Sequence, residues 1–170
     1  MLGEILNKEA EARRMHSTGL EVFEIGDFRS AEQYFTKATE LAPNNPNCWA
    51  MLAHTMFFSG RRTEAINAYL IESQLRPDYA AAFEDIAKIL GSAGRFDEAL
   101  EFAQKAAERK AFNDDVLFHL GRLALKAGKE GVRQKVEKTL LTRNPLLGYT
   151  DIFVSGFAPW AIEQARYYNR

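Results

Sequence analysis

The sequence predicts an all-α protein, a solenoid in which helical hairpins stack one after another, and two observations support this fold class. The first is a period, since Gly26, Gly60, Gly94 and Gly128 are spaced 34 residues apart in a chain of 170 residues. The second is that apolar residues on both sides of these glycines recur every three or four positions, as in an amphipathic helix. A fixed period of about 20 to 50 residues is typical of proteins built from stacked supersecondary units.

Each unit is predicted to be a pair of antiparallel helices. In the clearest unit, a helix over residues 47–58 is followed by Ser-Gly-Arg-Arg and by a second helix that ends before Pro77. Gly60 supplies the left-handed residue that ends the first helix. Thr63 is expected to cap the second helix, as Asp97 is in the next unit. The short loop makes the two helices neighbours that run in opposite directions.

Composition resembles that of ordinary soluble globular proteins. Hydrophobic residues make up 46% of the chain, charged residues 26%, and the net charge is −1, which argues against a globally basic nucleic-acid-binding protein. A single cysteine, Cys48, excludes an intramolecular disulfide. No secretory signal is expected, and uncharged runs such as residues 152–160 are far shorter than the roughly 20 residues that span a bilayer. We therefore expect a cytoplasmic protein without nucleic-acid partners or membrane insertion.

The repeated unit resembles the tetratricopeptide repeat. Residues 46–79 carry the family pattern most fully, through Trp49, Leu52, Ala53, Met56, Gly60, Ala65, Tyr69 and Pro77. The resemblance implies a right-handed superhelix of about four units, over residues 12–45, 46–79, 80–113 and 114–147. Residues 1–11 are expected to extend the first helix, and residues 148–170 to form an apolar linker and a C-terminal capping helix.

The fourth unit departs from the family pattern in its second helix. Arg133 occupies the position at which the other units have a small alanine, and Glu137 occupies the aromatic position. A larger side chain at the alanine position pushes the two helix axes of a hairpin apart. We therefore expect this helix to be rotated so that Val132, Val136 and Leu140 face inward.

The resemblance also implies a protein-interaction module, an adaptor or chaperone, rather than an enzyme. In this family the first helices of successive hairpins line a concave groove that holds a partner peptide. Transferring those positions gives twelve partner-binding candidates, which are His16, Leu20, Phe23, Asn47, His54, Phe57, Phe58, Glu84, Lys88, Phe118, Arg122 and Lys126. The predicted groove is aromatic and histidine-rich at one end and polar to basic at the other.

Phe57 and Phe58 leave two interpretations open. Adjacent residues of a helix point about 100° apart, so the two rings cannot be buried equally in one hairpin core. Either one ring packs between hairpins while the other fills a gap, or at least one ring is a groove-exposed anchor for a partner side chain, since aromatic residues dominate binding hot spots. Arg122 and Lys126 lie one helical turn apart and are expected to pair with an acidic group of the partner.

No catalytic, metal or cofactor site is predicted. A metal site needs three or four ligands, and Cys48 points to a different face of its helix from His54. No serine is placed beside a histidine in a way that identifies a nucleophile. His119 is expected one residue off the groove face.

The identity of the partner remains open among several alternatives. Cochaperones of heat-shock proteins bind a C-terminal carboxylate through a lysine and asparagine clamp, but the clamp positions here hold His16, Leu20, Met51, Ala81 and Asp85. That partner is therefore not expected. Size, four units and a helical tail are similar to the tetratricopeptide chaperones of bacterial type III secretion translocators. The alternative role is a self-associating scaffold, a homodimer formed through the N-terminal helix or the C-terminal segment.

Overall fold

The computed structural model describes residues 2–109, 113–143 and 145, which contain eight α-helices and no strand. The helices are α1 (Leu2–Glu24), α2 (Phe28–Leu41), α3 (Pro46–Phe58), α4 (Arg62–Leu75), α5 (Ala81–Ser92), α6 (Phe96–Arg109), α7 (Asp114–Lys126) and α8 (Glu130–Arg143). From one hairpin to the next, the last residue of the first helix shifts by 34 positions. The first and last residues of the second helix shift by the same number. The period of the sequence is therefore also the period of the structure.

The helices fall into two compact units, Met1–Ala82 and Phe83–Arg170. In the first unit α1 packs on α2, α2 on α3, and α3 on α4. In the second unit α6 packs on α7 and α7 on α8. Gly91 of α5 faces Leu123 of α7 and Ala99 of α6, which places α5 against both of these helices.

A left-handed glycine ends the first helix of each hairpin, as predicted. Gly26, Gly60, Gly94 and Gly128 have φ values between 67° and 83°. In the second hairpin, the N–H of Gly60 donates to the carbonyl of Phe57 at 2.9 Å and the N–H of Arg61 donates to the carbonyl of Met56 at 2.9 Å. This pair of hydrogen bonds is the Schellman motif, which requires one residue in the left-handed backbone conformation. Only glycine adopts that conformation without strain.

The predicted caps of the second helices are wrong. The residue before α4 is Arg61, which makes no side-chain cap hydrogen bond, and Thr63 lies inside the first turn. Asp97 likewise lies inside the first turn of α6. The cap position directly follows the left-handed glycine, because the helix begins one residue later. In the first hairpin that position holds Asp27, whose carboxylate accepts a 3.1 Å hydrogen bond from the N–H of Ser30.

Small residues lie where the two helices of a hairpin cross. Ala31, Ala65 and Ala99 are fully buried at these crossings. In the first hairpin α1 also contributes Gly19, where an added Cβ would lie 2.8 Å from the buried ring of Phe35. The close approach of α1 and α2 therefore depends on the absence of a side chain at this glycine.

The second helix of the fourth hairpin buries two of the predicted residues, and this burial requires no rotation, because the corresponding residues of α4, Ala68 and Glu72, are also buried. Its inward residues are Val136 and Leu140, which are buried, and Val132, which is half-buried. Arg133 occupies the alanine position with its guanidinium 2.6 Å from Glu130 and 3.0 Å from Glu137. Hydrogen bonds, of which that from Arg133 is the largest cause, lower the pKa of Glu130 to about 2. The long side chain is accommodated because its charged end reaches these carboxylates near the surface.

Other sequence predictions fall at the chain ends. α1 begins at Leu2, so residues 2–11 are continuous with the first helix. The predicted linker and capping helix over residues 148–170 lies outside the described residues. Among the helices that are described, none is long and apolar enough to cross a membrane.

Candidate functional site

In the first unit, the predicted residues Phe23 and Phe58 come together where α1 and α3 end. Their ring centroids lie 5.6 Å apart in an edge-to-face arrangement, and Phe57 lies 5.5 Å from Phe58. Such arrangements are favoured by the charge distribution of aromatic rings. Phe58 is 55% exposed, whereas Phe57 is half-buried. Of these two neighbouring rings, Phe58 is therefore the one whose surface is exposed.

Phe28, the first residue of α2, completes this aromatic cluster and was not predicted. Its ring stacks on Phe58 at 5.4 Å with an interplanar angle of 16°, and lies 5.2 Å from Phe23. Contact with the first residue of a second helix places Phe58 at the edge where the hairpin turns lie, and not on the predicted inward face. The sequence contains a clue to this contact, since Phe96 occupies the same repeat position as Phe28, two periods later.

Lys126 lies at the corresponding edge of the second unit. It occupies the repeat position of Phe58 two periods later, and its Nζ lies 5.2 Å from the centroid of the Phe96 ring. This distance is within the range of a cation–π interaction. Lys126 therefore belongs to the turn edge of the second unit, although it also lines a cleft described below.

His16 and His54 pack against aromatic residues in the second helices of their own hairpins. His16 lies 5.7 Å from Phe35, and His54 lies 5.4 Å from Tyr69, both edge-to-face. Burial lowers the pKa of His16, and a hydrogen bond with the backbone of Asn47 partly offsets this. Both rings are half-buried, so they support the hairpins and present only part of their surface to a ligand.

Leu20 and Asn47 also have structural contacts. Leu20 is half-buried and packs against the core cluster that contains Phe35. Asn47 is exposed, and its Oδ1 accepts a 2.5 Å hydrogen bond from Nη2 of Arg76, which joins the start of α3 to the end of α4. Of these two residues, Asn47 is the one whose side chain is open to a partner.

A cleft of about 580 Å³ lies between α1 and the loop that joins α2 to α3. Its walls include Lys8 and Arg13 from α1, and Pro43 and Asn44 from the loop. The sequence did not indicate this cleft, because four of its ten lining residues come from the loop and not from the first-helix positions carried over from the family.

In the second unit, four predicted residues line two adjoining clefts of about 230 and 240 Å³. Glu84 and Lys88 of α5 line the first cleft, and Lys88, Arg122 and Lys126 line the second. His119 of α7 lines both. The structure thus brings together the residues that the sequence placed at the polar to basic end.

The second of these clefts is basic. Lys88, Arg122 and Lys126 are all exposed, and Lys88 forms a 2.9 Å ion pair with Asp85 on its own helix. Arg122 forms no ion pair with any residue that the structure describes. Burial, followed by the charges of Lys88 and Arg122, lowers the pKa of His119. An anionic group in this cleft would neutralise charges that now lie close together.

Phe118 is not available to a partner. It is 4% exposed and lies in the core of the second unit, whereas the next residue, His119, lines both clefts. The sequence analysis placed Phe118 on the groove face and His119 one residue off it, whereas in the structure His119 faces the clefts and Phe118 is buried. The predicted assignment of Phe118 is therefore wrong.

Within residues 2–109, 113–143 and 145, no group of three or more His, Cys, Asp or Glu residues is arranged to hold a metal ion. Cys48 is fully buried, and burial raises the pKa of its thiol. A thiol that is both buried and protonated is a poor nucleophile and a poor metal ligand.

Comparison with known sequences gives matches to one family. A profile of the family described as "Tetratricopeptide repeat" matches residues 23–82. The chain is 29% identical over 105 residues to small glutamine-rich tetratricopeptide repeat-containing protein 2 of Mycosarcoma maydis, covering 62% of this chain and 30% of that protein. It is 25% identical over 120 residues to the TPR repeat-containing protein YpiA of Bacillus subtilis (strain 168), covering 71% and 28% respectively. The chain spans less than a third of the length of these relatives.

Solved structures share the fold. A crystal structure of MamA superposes with a TM-score of 0.71 at 19% identity, covering 87% of each chain. The first TPR of Spaghetti (RPAP3), bound to an HSP90 peptide, superposes with a TM-score of 0.65 at 18% identity, covering 71% of this chain and 95% of that one. Together with the 34-residue period and the left-handed glycines, these matches show tetratricopeptide repeat sequence over residues 23–82 and an all-α solenoid fold.

Proposed function

We propose that the chain is an adaptor or chaperone that holds a peptide segment of a partner protein against the first helices of its hairpins. Tetratricopeptide repeats form protein-interaction modules, and one structural neighbour is bound to a peptide. The observation that carries the proposal is the clustering of Lys88, Arg122 and Lys126 around a cleft in the second unit.

The cleft favours an acidic partner segment. Arg122 has no acidic partner among the described residues, and its guanidinium has donors in a fork that fits a carboxylate. Lys88 is held by Asp85 on the same helix, so its ammonium is already positioned at the cleft wall. His119 contributes a ring whose Nε2 is buried and makes no hydrogen bond to a described residue. A carboxylate of the partner would be attracted by the charges of Arg122 and Lys88, while the His119 ring forms part of the cleft wall.

The partner need not be the one bound by a structural neighbour. The HSP90 peptide is bound by the Spaghetti protein, and the likeness of that protein to this chain shows the fold. At the positions of the family's carboxylate clamp this chain has His16, Leu20, Met51, Ala81 and Asp85. None of these is the required lysine or asparagine. We therefore propose that acidic side chains within the partner segment are recognised, at the cleft beside Arg122.

The experiment compares variants with a partner captured on the full chain. Lys88→Ala combined with Arg122→Ala is expected to weaken binding on the order of tenfold at low ionic strength, and much less at high salt, because exposed charges are screened. Lys138→Ala, which removes an exposed lysine from α8, is the matched control. The proposal is wrong if the control weakens binding as much as the cleft variant does.

Self-association is the second candidate function. Leu6 of α1 is 55% exposed, which leaves an apolar side chain open near the start of the chain. A scaffold that assembles through α1 would show a molecular mass that rises with concentration in light scattering, and Leu6→Ser would abolish the rise. A constant monomer mass over the same range would exclude this alternative.

We also propose that the protein acts in the cytoplasm and is not an enzyme. The lone cysteine, Cys48, is a buried free thiol, which is compatible with a reducing compartment. A fluorescent fusion expressed in the source cells would test the location, and a fluorescence signal confined to a membrane or an organelle would contradict it.

A further inference from the structure

The turn edge of the first unit carries exposed apolar side chains. We call this surface the aromatic edge and define it by Phe23, Ile25, Phe28 and Phe58. Ile25 is 80% exposed and Phe58 is 55% exposed. The three phenylalanine rings hold one another, with centroid separations of 5.2, 5.4 and 5.6 Å. The surface is therefore already ordered without a partner, which lowers the entropic cost of binding.

The fold does not require apolar residues at these positions. The residues 34, 68 and 102 positions after Ile25 are Ser59, Ala93 and Ala127. The repeat position of Phe58 holds Glu24, Ser92 and Lys126 in the other three hairpins. Small or polar side chains thus satisfy the same turns elsewhere in the chain. An exposed apolar patch that the fold does not need is typical of an interaction surface.

The helix that ends at this edge is negatively charged. The last turn of α1 contains no basic residue, while Glu21 and Glu24 are exposed there. Neither carboxylate forms an ion pair with a described residue. The C-terminal end of a helix carries a partial negative charge, so two glutamates at this end are unfavourable unless a cation approaches. Arg61, in the turn after α3, is paired with Glu32 at 2.5 Å.

The second unit shows what chemistry the same edge position accepts. There the ring equivalent to Phe28 is Phe96, and the ammonium of Lys126 lies over it at 5.2 Å. In the first unit Phe58 occupies the repeat position of that lysine and stacks on Phe28, and the outer face of the Phe58 ring is exposed. Cations are attracted to the faces of aromatic rings. A cation beside Phe58 would be attracted both by the face of the ring and by the carboxylate of Glu24.

We propose that the aromatic edge is a docking surface for a partner segment in which a large apolar side chain lies next to a lysine or arginine. The apolar side chain packs between Ile25 and Phe58, and the basic group lies near Glu24. This partner chemistry is opposite in charge to that of the basic cleft beside Arg122, which belongs to the other unit. The proposal for the aromatic edge is therefore independent of the function proposed above, and an experiment can contradict one without contradicting the other.

The test is selection of random peptides displayed on phage against the immobilised full chain, followed by affinity measurements with the enriched peptides in synthetic form. Two variants take their new residue from another repeat of the chain, namely Ile25→Ser and Phe58→Ser. Because Ile25 is 80% exposed, Ile25→Ser leaves the core intact and remains informative if Phe58→Ser lowers stability. Glu24→Gln removes the charge, and Lys88→Ala with Arg122→Ala is the control in the other unit.

We expect enriched peptides with an apolar and a basic residue close together. Ile25→Ser should weaken them about tenfold or more, as for loss of a binding anchor. Glu24→Gln should weaken them severalfold at low salt only, and the control variant should bind like wild type. The proposal is overturned if the enriched peptides are acidic, if Ile25→Ser binds normally, or if no binding peptide is obtained. It is also overturned if the chain is a dimer in sedimentation and Ile25→Ser dissociates it, because the occupant is then a second copy.

Discussion

Nη1 of Arg143 donates a 2.9 Å hydrogen bond to Oδ1 of Asp114, which joins the last residue of α8 to the first residue of α7. The Asp114 side chain is 9% exposed and that of Arg143 is 28% exposed. Each charge also lies at the helix end that favours it, the carboxylate at an N-terminus and the guanidinium at a C-terminus. The contact closes the fourth hairpin at the end opposite its turn.

Removal of Arg143 should therefore destabilise the protein. Arg143→Ala leaves the nearly buried carboxylate of Asp114 without this donor, and we expect a loss of about 2 kcal/mol in the free energy of unfolding. Arg95→Ala is the control, since its partner Glu98 and Arg95 itself are both 53% exposed, and exposed pairs contribute about 0.2–1 kcal/mol. Urea denaturation of both variants measures the difference. Equal losses would mean that burial of the Asp114 pair has no energetic consequence.

Glycines in two helices should respond in opposite directions to the same substitution. Gly19→Ala places a Cβ 2.8 Å from the buried ring of Phe35, and overpacking of this kind costs about 1–3 kcal/mol. Gly131→Ala in α8 meets nothing within 4 Å and should stabilise by about 0.5–1 kcal/mol through helix propensity. Thermal melting compares them. A Gly19→Ala protein as stable as wild type would show that α1 and α2 are not held at this distance.

Stability should fall as the pH is lowered from neutrality. Burial lowers the pKa of both His16 and His119 from the ordinary value of 6.5. Because the unfolded chain takes up these protons first, the stabilisation is fully present above pH 6.5 and is lost as the pH falls toward the folded-state pKa values. Melting temperatures measured from about pH 7.5 to 5.5 should decrease.

A double variant identifies the groups that cause this pH dependence. His16→Gln with His119→Gln should flatten the slope of melting temperature against pH, whatever its effect on absolute stability. Carboxylates contribute little to the slope in this range, since their ordinary pKa values are about 4. An unchanged slope in the double variant would assign the pH dependence to other groups.

Trp49 should contribute both volume and a hydrogen bond. Its Nε1–H donates to the carbonyl of Pro43 at 2.7 Å, and its half-buried ring packs on the core cluster of the first unit. Trp49→Phe removes mainly the hydrogen bond and should cost about 1 kcal/mol. Trp49→Ala also removes the ring and should cost about 2–3 kcal/mol, since the ring is only half-buried. Chemical denaturation of both variants separates the contribution of the hydrogen bond from that of the ring. Equal losses in the free energy of unfolding would show that the ring itself contributes nothing.

The hairpin architecture could be predicted from the amino-acid sequence alone. The left-handed glycines, the lengths of the helices and the buried alanines at helix crossings all follow from the 34-residue period. The burial of Val136 and Leu140 in α8 was also predictable from its apolar spacing. These features depend on backbone conformation and on residues three or four positions apart, so a linear sequence contains them.

Which side chains are exposed depends on tertiary packing. The sequence placed Phe118 on the groove face and His119 one residue off it, but packing within the second unit buries Phe118 and leaves His119 at a cleft. Phe58 was assigned to an inward face, but its contact with Phe28 places it at the turn edge. Neighbouring residues of a helix differ by about 100° in direction, so a modest rotation of one helix against the next exchanges buried and exposed positions. That rotation depends on contacts between residues far apart in the chain, such as the 30 positions between Phe28 and Phe58, and local pattern does not specify them.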